Sequence, residues 1–575
     1  MNMHFQLGQE AATEVQQLGC NMDASLSVDR DAEMLDSGGN RRGWIIFLFI
    51  IGTFMCLTLA AGGWQSNLIV YLIQEYNVNS IDAAQVSNVV NGCTCLFPII
   101  GAIIADSFSG CFPVILISSC ISFLGLVLLV LTATLDSLRP PSCDDGLSLC
   151  ETPSESQFAV LYAGIALASI GLGGTRFTIA TMGANQFDKP EEQGIFFNWF
   201  FFAMYTTSVI SFTAIVYIED NVSWGLGYGL CALVNLIGLL IFLSGSNFYR
   251  RDKPQGSPFV NIVRVLVASI RKRNVLLSSR SEDYHYHNDG EAKMVPETHK
   301  KCLSFLNGAA LKTEGDLKPD GSIAKPWSLC TFQQVEDLKT VIRIFPLWSS
   351  SIFISTPIAI QGSLTTLQAL TMDRRIVSHF KIPVGSLPVL VLLSTCISLP
   401  IIDRFLYPVW KKLTNQSPTP LQRLGIGHVL NIISMVVSAL VESRRLKTAH
   451  SSTLPMLVMW LFPQLALVGI GEAFHFPGQL QLCYQEFPAS LRGTATAMVA
   501  MTIGIAFYMG TALIGLVRRV TGWLPDDINQ GRLDNVYWMV VVIGVLNFGY
   551  YLSCAKLYKH QNVSEGVEGS SGSDG

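Results

Sequence analysis

The chain has 575 residues, of which 50% are hydrophobic and only 14% are charged. Soluble domains carry about 25% charged residues, so this composition excludes a soluble globular protein and indicates a chain built for a bilayer. The net charge of −4 is small and of the wrong sign to mark a nucleic-acid partner.

Residues 1–42 hold Asp, Glu, Gln, Ser and Gly without apolar periodicity and without the apolar core of a secretory leader. They are expected to be a disordered cytoplasmic tail, with Arg41 and Arg42 anchoring the first span. Apolar segments long enough for a ~30 Å hydrocarbon core then fall at 43–72, 85–106, 112–135, 158–184, 195–218, 224–247, 340–370, 383–404, 424–442, 455–482, 493–517 and 535–557. Most of the cysteines lie inside these segments, where they act as small hydrophobes. Cys143 and Cys150 instead share a polar loop, and read either as a disulfide, if that loop is outside the cell, or as two free thiols.

The domain reading follows: a first six-span bundle over 43–249, a cytoplasmic linker over 250–339, a second bundle over 340–558 and a disordered tail over 559–575. The linker is rich in Lys and Arg, which places it inside by the positive-inside rule. Within it, Pro258 to Arg273 places Val260, Ile262, Val263, Val265, Leu266, Val267 and Ile270 among basic residues, a pattern expected for an amphipathic helix on the membrane surface. Arg444, Arg445, Lys447, Arg518 and Arg519 oppose this topology, because they fall on segments it puts outside.

Arg176 is the only charge between Phe158 and Asn185, preceded by Gly171-Leu172-Gly173-Gly174. An ionisable group at mid-membrane depth costs ~2.5–3.5 kcal/mol on insertion scales and usually faces a protein interior or a water-filled cavity. Small residues beside it allow close helix approach. Arg176 therefore lines a polar pathway or belongs to a structural ion pair. Glu472, between Gly471 and Ala473 deep in the tenth segment, is its candidate partner, either as a switchable counter-charge or as a static one. His475 shares that helical face, as a proton relay or a structural donor.

Six spans, a basic insert and six more spans is the layout of a major facilitator transporter, an all-α membrane protein with its site between two bundles. Gly101-Ala102-Ile103-Ile104-Ala105-Asp106 resembles that superfamily's loop, where the Asp stabilises one conformation; the usual basic residue is missing from Ser107 to Val114. No nucleotide loop, metal-ligand spacing or nucleophile–base set is present, so neither an enzyme nor a cofactor is expected.

Further motifs resemble one family. They are Gly183-Ala184-Asn185-Gln186-Phe187-Asp188, Phe196-Phe197-Asn198-Trp199-Phe200, Asn221-Val222-Ser223-Trp224-Gly225, Phe305-Leu306-Asn307-Gly308-Ala309-Ala310-Leu311, Gly469-Ile470-Gly471-Glu472-Ala473-Phe474 and Leu524-Pro525-Asp526-Asp527-Ile528-Asn529. In this order they resemble the plant nitrate/peptide transporter family, relatives of the proton-dependent oligopeptide transporters. The stretch Gly52 to Leu68, with Phe200 to Tyr205, is similar to the nitrate excretion branch. Most of that family carries Glu-x-x-Glu-Arg on the first helix for proton coupling; Phe54, Leu57 and Thr58 stand there in this chain. The resemblance also gives Arg176 a position normally held by Lys, and Glu472 the position of the tenth-helix Glu.

With those two carboxylates gone, the cavity charge implied by the resemblance moves from net negative to neutral, which favours an anion where screening is weak. Arg also forks onto a planar oxyanion with two hydrogen bonds and stays charged. The expected substrate is nitrate, with chloride as a second anion, moved by alternating access without ATP. Efflux across the plasma membrane is the leading expectation, with the vacuolar membrane as the other location. Gln65, Tyr205 and Gln361 are further candidate ligands, each equally readable as a packing residue. The competing expectations are proton-coupled carriage of a peptide or other organic solute, and a non-transporting sensor acting through 250–339.

Overall fold

The computed structural model describes residues 29–141, 152–187, 190–250, 258–275, 283–286, 303–313, 315–317, 327–377, 380–416, 418–451, 454–486 and 495–571. The cysteine pair expected at 143 and 150 lies outside them.

Twelve described helices are long and apolar enough to cross a membrane: Ile45–Ser66, Ser80–Ser109, Cys111–Thr134, Glu155–Ala184, Phe202–Asn221, Trp224–Ser244, Phe332–Leu370, Val384–Thr414, Pro420–Ser451, Val458–Leu482, Met498–Val520 and Leu533–Tyr558. They are referred to below as the first to twelfth spans. Local sequence explains several starts. Before the fourth span, Ser154 Oγ accepts from Gln157 N while Gln157 Oε1 accepts from Ser154 N, closing a capping box. Thr331 and Gln334 repeat the device before the seventh, so that helix begins at Phe332 rather than near 340. The strands Arg375–Val377 and Phe380–Lys381 form a small hairpin between the seventh and eighth spans.

Both terminal helices outrun their spans. The first covers Asp29–Ser66 and the last Leu533–Ser571, so helix replaces much of the disorder expected before residue 43 and after residue 558. A helix already nucleated in the membrane extends one hydrogen bond per residue without a new nucleation cost. At its other end the first helix stops at Ser66, and a separate short helix, Leu68–Gln74, completes the segment expected to run to residue 72.

Close packing groups the spans. The fourth packs on the second and third, and the sixth on the first and third. In the other half the ninth packs on the tenth and twelfth, and the seventh on the eleventh and twelfth. Small residues permit this closeness. A Cβ on Gly171 would sit 2.4 Å from the backbone nitrogen of Ser122 in the third span. Between the halves, the second span packs against the seventh and eleventh.

The insert helix Pro258–Arg271 forms as expected, but its buried face has a different partner. Val265 and Ala268 are fully buried against Leu306, Ala309 and Ala310 and the start of the seventh helix. A folded insert covers Val265 and Ala268, because the Phe305–Leu311 motif supplies its own apolar core, while Val263, Leu266 and Ile270 of the same helix stay exposed. Lys272 closes the packing, donating to Leu311 O and Asp316 Oδ2 at 2.6 Å each.

Candidate functional site

The seam between the bundles is tied at the ends far from the insert. Arg518 of the eleventh span donates to Asp82 at the start of the second. Asn88 Nδ2 donates to Ser363 Oγ at 3.3 Å. Deeper, Cys93 and Tyr508 share a hydrogen bond at 2.9 Å, and Gly504 lies against Leu96 and Cys95. At the far ends of the fifth and seventh spans, Arg374 reaches Asp220 at 3.5 Å.

Arg176 sits just past this seam, toward the insert. Cys95, whose Cβ a side chain on Gly504 would meet at 3.2 Å, lies within electrostatic range of the guanidinium. The helix around Arg176 takes care of its own hydroxyls: Thr175 Oγ1 donates to Leu172 O at 3.0 Å and Thr178 to Gly174 O. Arg176 itself is exposed and has no hydrogen bond or ion pair among the described residues. Glu472, half-buried in the tenth span, likewise has none. The expected Arg176–Glu472 pair is therefore not made in this conformation, which removes the static form of that reading here. Glu472 instead faces the other half through Tyr205, which lies within electrostatic range of Glu472 and of Cys396 in the eighth span.

The first-helix positions carry no charge and leave no gap. Phe54 is 4% exposed and stacks on Phe200 at 3.9 Å between centroids. Leu57 is buried in the same cluster, and Thr58 is half-buried. An aromatic plug fills the space where the resemblance places two carboxylates and an arginine.

Three expected site residues point elsewhere. Gln65 uses both amide protons inside its own bundle, on Asn91 Oδ1 at 2.5 Å and Thr94 Oγ1 at 3.0 Å. Gln361, 1% exposed, does the same on Ser434 at 3.1 Å and Ser438 at 2.7 Å. Neither keeps a donor for an anion. His475, 1% exposed, lies edge-on to His428 at 5.7 Å within the second bundle, away from the seam. Asp106 falls in the π-helical turn Ala105–Ser109, with its side chain outside the described residues.

Sequence reasoning missed a buried ionic cluster. Arg445 forks onto Glu442 with two bonds of 2.7 Å and donates to Thr371 at 2.8 Å and Asn529 at 2.6 Å. Gln368 also donates to Glu442, at 2.5 Å. The signal was present as opposite charges three apart at the end of an apolar helix. Of the five charges that oppose the topology, three have partners: Arg445 in this cluster, Arg444 over the Trp460 ring at 4.3 Å, and Arg518 on Asp82 and Asp526.

Comparison with known proteins now decides the family. The POT family profile matches residues 112–530. The chain belongs to the POT family. It is 54% identical to Protein NRT1/ PTR FAMILY 2.7 of Arabidopsis thaliana, over 94% of this chain and 97% of that one. It is 55% identical to Protein NRT1/ PTR FAMILY 2.6 of the same plant, over 93% and 97%. The POT family transporter PepTSo superposes with a TM-score of 0.68 at 16% identity, covering 90% of this chain and 98% of that one. An auto-inhibited POT family peptide transporter gives 0.66 at 16% identity, covering 90% and 96%. This POT-family chain is thus a multi-pass transporter of the plant NRT1/PTR type, and not an enzyme.

Proposed function

We propose that this POT-family transporter moves nitrate, with chloride as a second anion, by alternating access between its two bundles. The carrying observation is Arg176: an exposed guanidinium beside the seam with no hydrogen bond or ion pair among the described residues, with an aromatic plug and no carboxylate at Phe54, Leu57 and Thr58. A fixed positive charge in a poorly screened cleft attracts an anion, and the fork geometry suits a planar oxyanion. A peptide also presents an ammonium group, and the plug offers it no counter-charge. Tyr205 and Glu472 complete the site from opposite bundles, with Glu472 retreating from Arg176 when the anion is held.

Sidedness follows the basic insert, which we assign to the cytoplasm. The seam tied at Asp82–Arg518 and Asp220–Arg374 is then the outer gate, closed in this conformation. In a plant plasma membrane, with the cell interior negative, an anion moved without proton coupling leaves the cell.

Purified protein in liposomes tests this directly. Nitrate flux should proceed without a proton gradient and respond to membrane potential, and chloride should compete. Flux of a dipeptide that needs a proton gradient, with none for nitrate, would replace this reading with the peptide one.

A further inference from the structure

At the outer end of the fifth span, Glu219 is 2% exposed, and its carboxylate oxygens make no hydrogen bond within 3.5 Å, the neutral Asn67 side chain lying nearby at longer reach. It is wedged against Gly227 of the sixth span, where a Cβ would sit 2.2 Å from its Cγ. Beside it, Asn67 is 1% exposed, and its amide nitrogen and oxygen are also unpartnered. The second bundle supplies the cover. The turn Val384–Ser386 packs on Leu68–Gln74 and on Val216–Asn221, and Gly385 lies so close to Asn67 that a Cβ would meet its Oδ1 at 2.7 Å. In this conformation a turn of the second bundle therefore lies over the pocket that holds Asn67 and Glu219.

No cation faces it. Asp220, next in the chain, takes the nearby Arg374. The sixth span contributes Tyr228, with an unpartnered buried hydroxyl, and Cys231; Tyr71 stands behind Tyr228. The first span offers Asn67 and the turn offers Gly385, neither charged. A carboxylate in such a place loses its hydration and gains at most the neutral Asn67 amide in return, whereas the acid form is neutral and carries a donor of its own.

We propose that Glu219 is a proton-binding site that operates the outer gate. As the gate closes, the carboxylate takes a proton from external water, forming one O–H bond, and as the gate opens it returns that proton to the same side. By linkage, a proton bound more tightly in the closed state makes external acid favour closure, and external alkali favour opening. The cycle moves no net proton, so it supplies pH control from outside without proton coupling. The inference rests on the sidedness assigned above and not on the identity of the anion.

The test uses no solute. In the full chain, Ser363→Cys places a thiol behind the gate, and its labelling by a membrane-impermeant thiol reagent added outside is read above the background of the parent chain. Labelling should be slower at external pH of about 5 than at about 8, by up to about tenfold for each pH unit between the two protonation constants. Adding Glu219→Gln, which mimics the acid form, should leave labelling slow and flat with pH, while adding Asp220→Asn should leave the pH dependence in place. Labelling independent of pH in Ser363→Cys alone overturns the proposal, and that comparison needs no change at Glu219. An unchanged pH profile in the Glu219→Gln chain also overturns it. The same pH pattern seen only with reagent on the insert side would refute the sidedness and keep the proton site.

Discussion

Arg374 and Asp220 meet across the bundles at 3.5 Å with side chains only 8% and 7% exposed, so the seam far from the insert rests on an ion pair that water barely reaches. Removing one member of such a pair leaves the other charge buried, at a cost of about 3–5 kcal/mol. That cost falls on the state in which the bundles are closed on this side. Arg374→Ala should therefore raise outward exposure of Ser363→Cys to an impermeant thiol reagent several-fold. Combining it with Asp220→Asn should restore most of the protection. Unchanged protection in the single variant would remove the pair from the gate.

Arg176 has no hydrogen bond or ion pair among the described residues, so replacing it should alter transport more than folding. Arg176→Ala should abolish nitrate flux in oocytes while surface protein stays near normal. Arg176→Lys keeps the charge but loses the fork, and a reduction of about tenfold is expected, the size of one lost charge-assisted hydrogen bond. Full flux in Arg176→Ala would end the anion-site assignment.

Arg176 was legible because charge inside an apolar run is costly wherever the run is placed, and the spans were legible from length alone. Gln65 and Gln361 were not. A polar amide in a transmembrane helix looks the same whether it meets a substrate or a serine on the next helix, and only the tertiary partners Asn91, Thr94, Ser434 and Ser438 decide. The insert helix shows the same limit. Its periodicity marked a buried face, but what covers Val265 and Ala268 lies about forty residues along the chain, at Leu306 to Ala310.

Gln361 turns that lesson into a measurement. Gln361→Ala leaves Ser434 and Ser438 without its donors inside the second bundle and should cost stability by ~1–3 kcal/mol. The apparent melting temperature should fall, while KM for nitrate in the surviving protein stays constant. A raised KM at unchanged stability would return Gln361 to the site.

The insert carries its own pH signature. Burial opposes ionisation of Asp316, but the Lys272 ammonium and the Thr313 hydroxyl and amide outweigh it and hold the carboxyl below its ordinary value. A depressed folded value means stabilisation is complete above the ordinary carboxylate pKa of about 3.9 and is lost as pH falls through the lower folded value. Amide exchange across Ser304–Ala310, corrected for intrinsic rates, should thus show constant protection from about pH 8 to about pH 5 and loosen only below about pH 4. Asp316→Asn leaves Lys272 buried without its counter-charge and should speed exchange there at every pH. Unaltered protection in that variant would show that the pair contributes nothing to the fold of the insert.

Gly171 connects the packing of the first bundle to the site. The atoms a Cβ would strike are Ser122 N at 2.4 Å and Ser118 O at 2.6 Å, both main chain of the third span. Main chain cannot rotate aside as a side chain can, so Gly171→Ala must push the third and fourth helices apart. Overpacking of this kind costs ~1–3 kcal/mol. It also displaces the turn that carries Arg176 toward the seam, so flux per surface molecule should drop together with the melting temperature. Gly229 in the sixth span is the matched control, since nothing lies within 4 Å of its would-be Cβ. There the helix-propensity gain of alanine over glycine, about 0.8–1 kcal/mol, is unopposed, and Gly229→Ala should melt no lower than the parent. Equal melting of both variants would mean that the contact between the third and fourth spans is looser than a glycine-dependent interface requires.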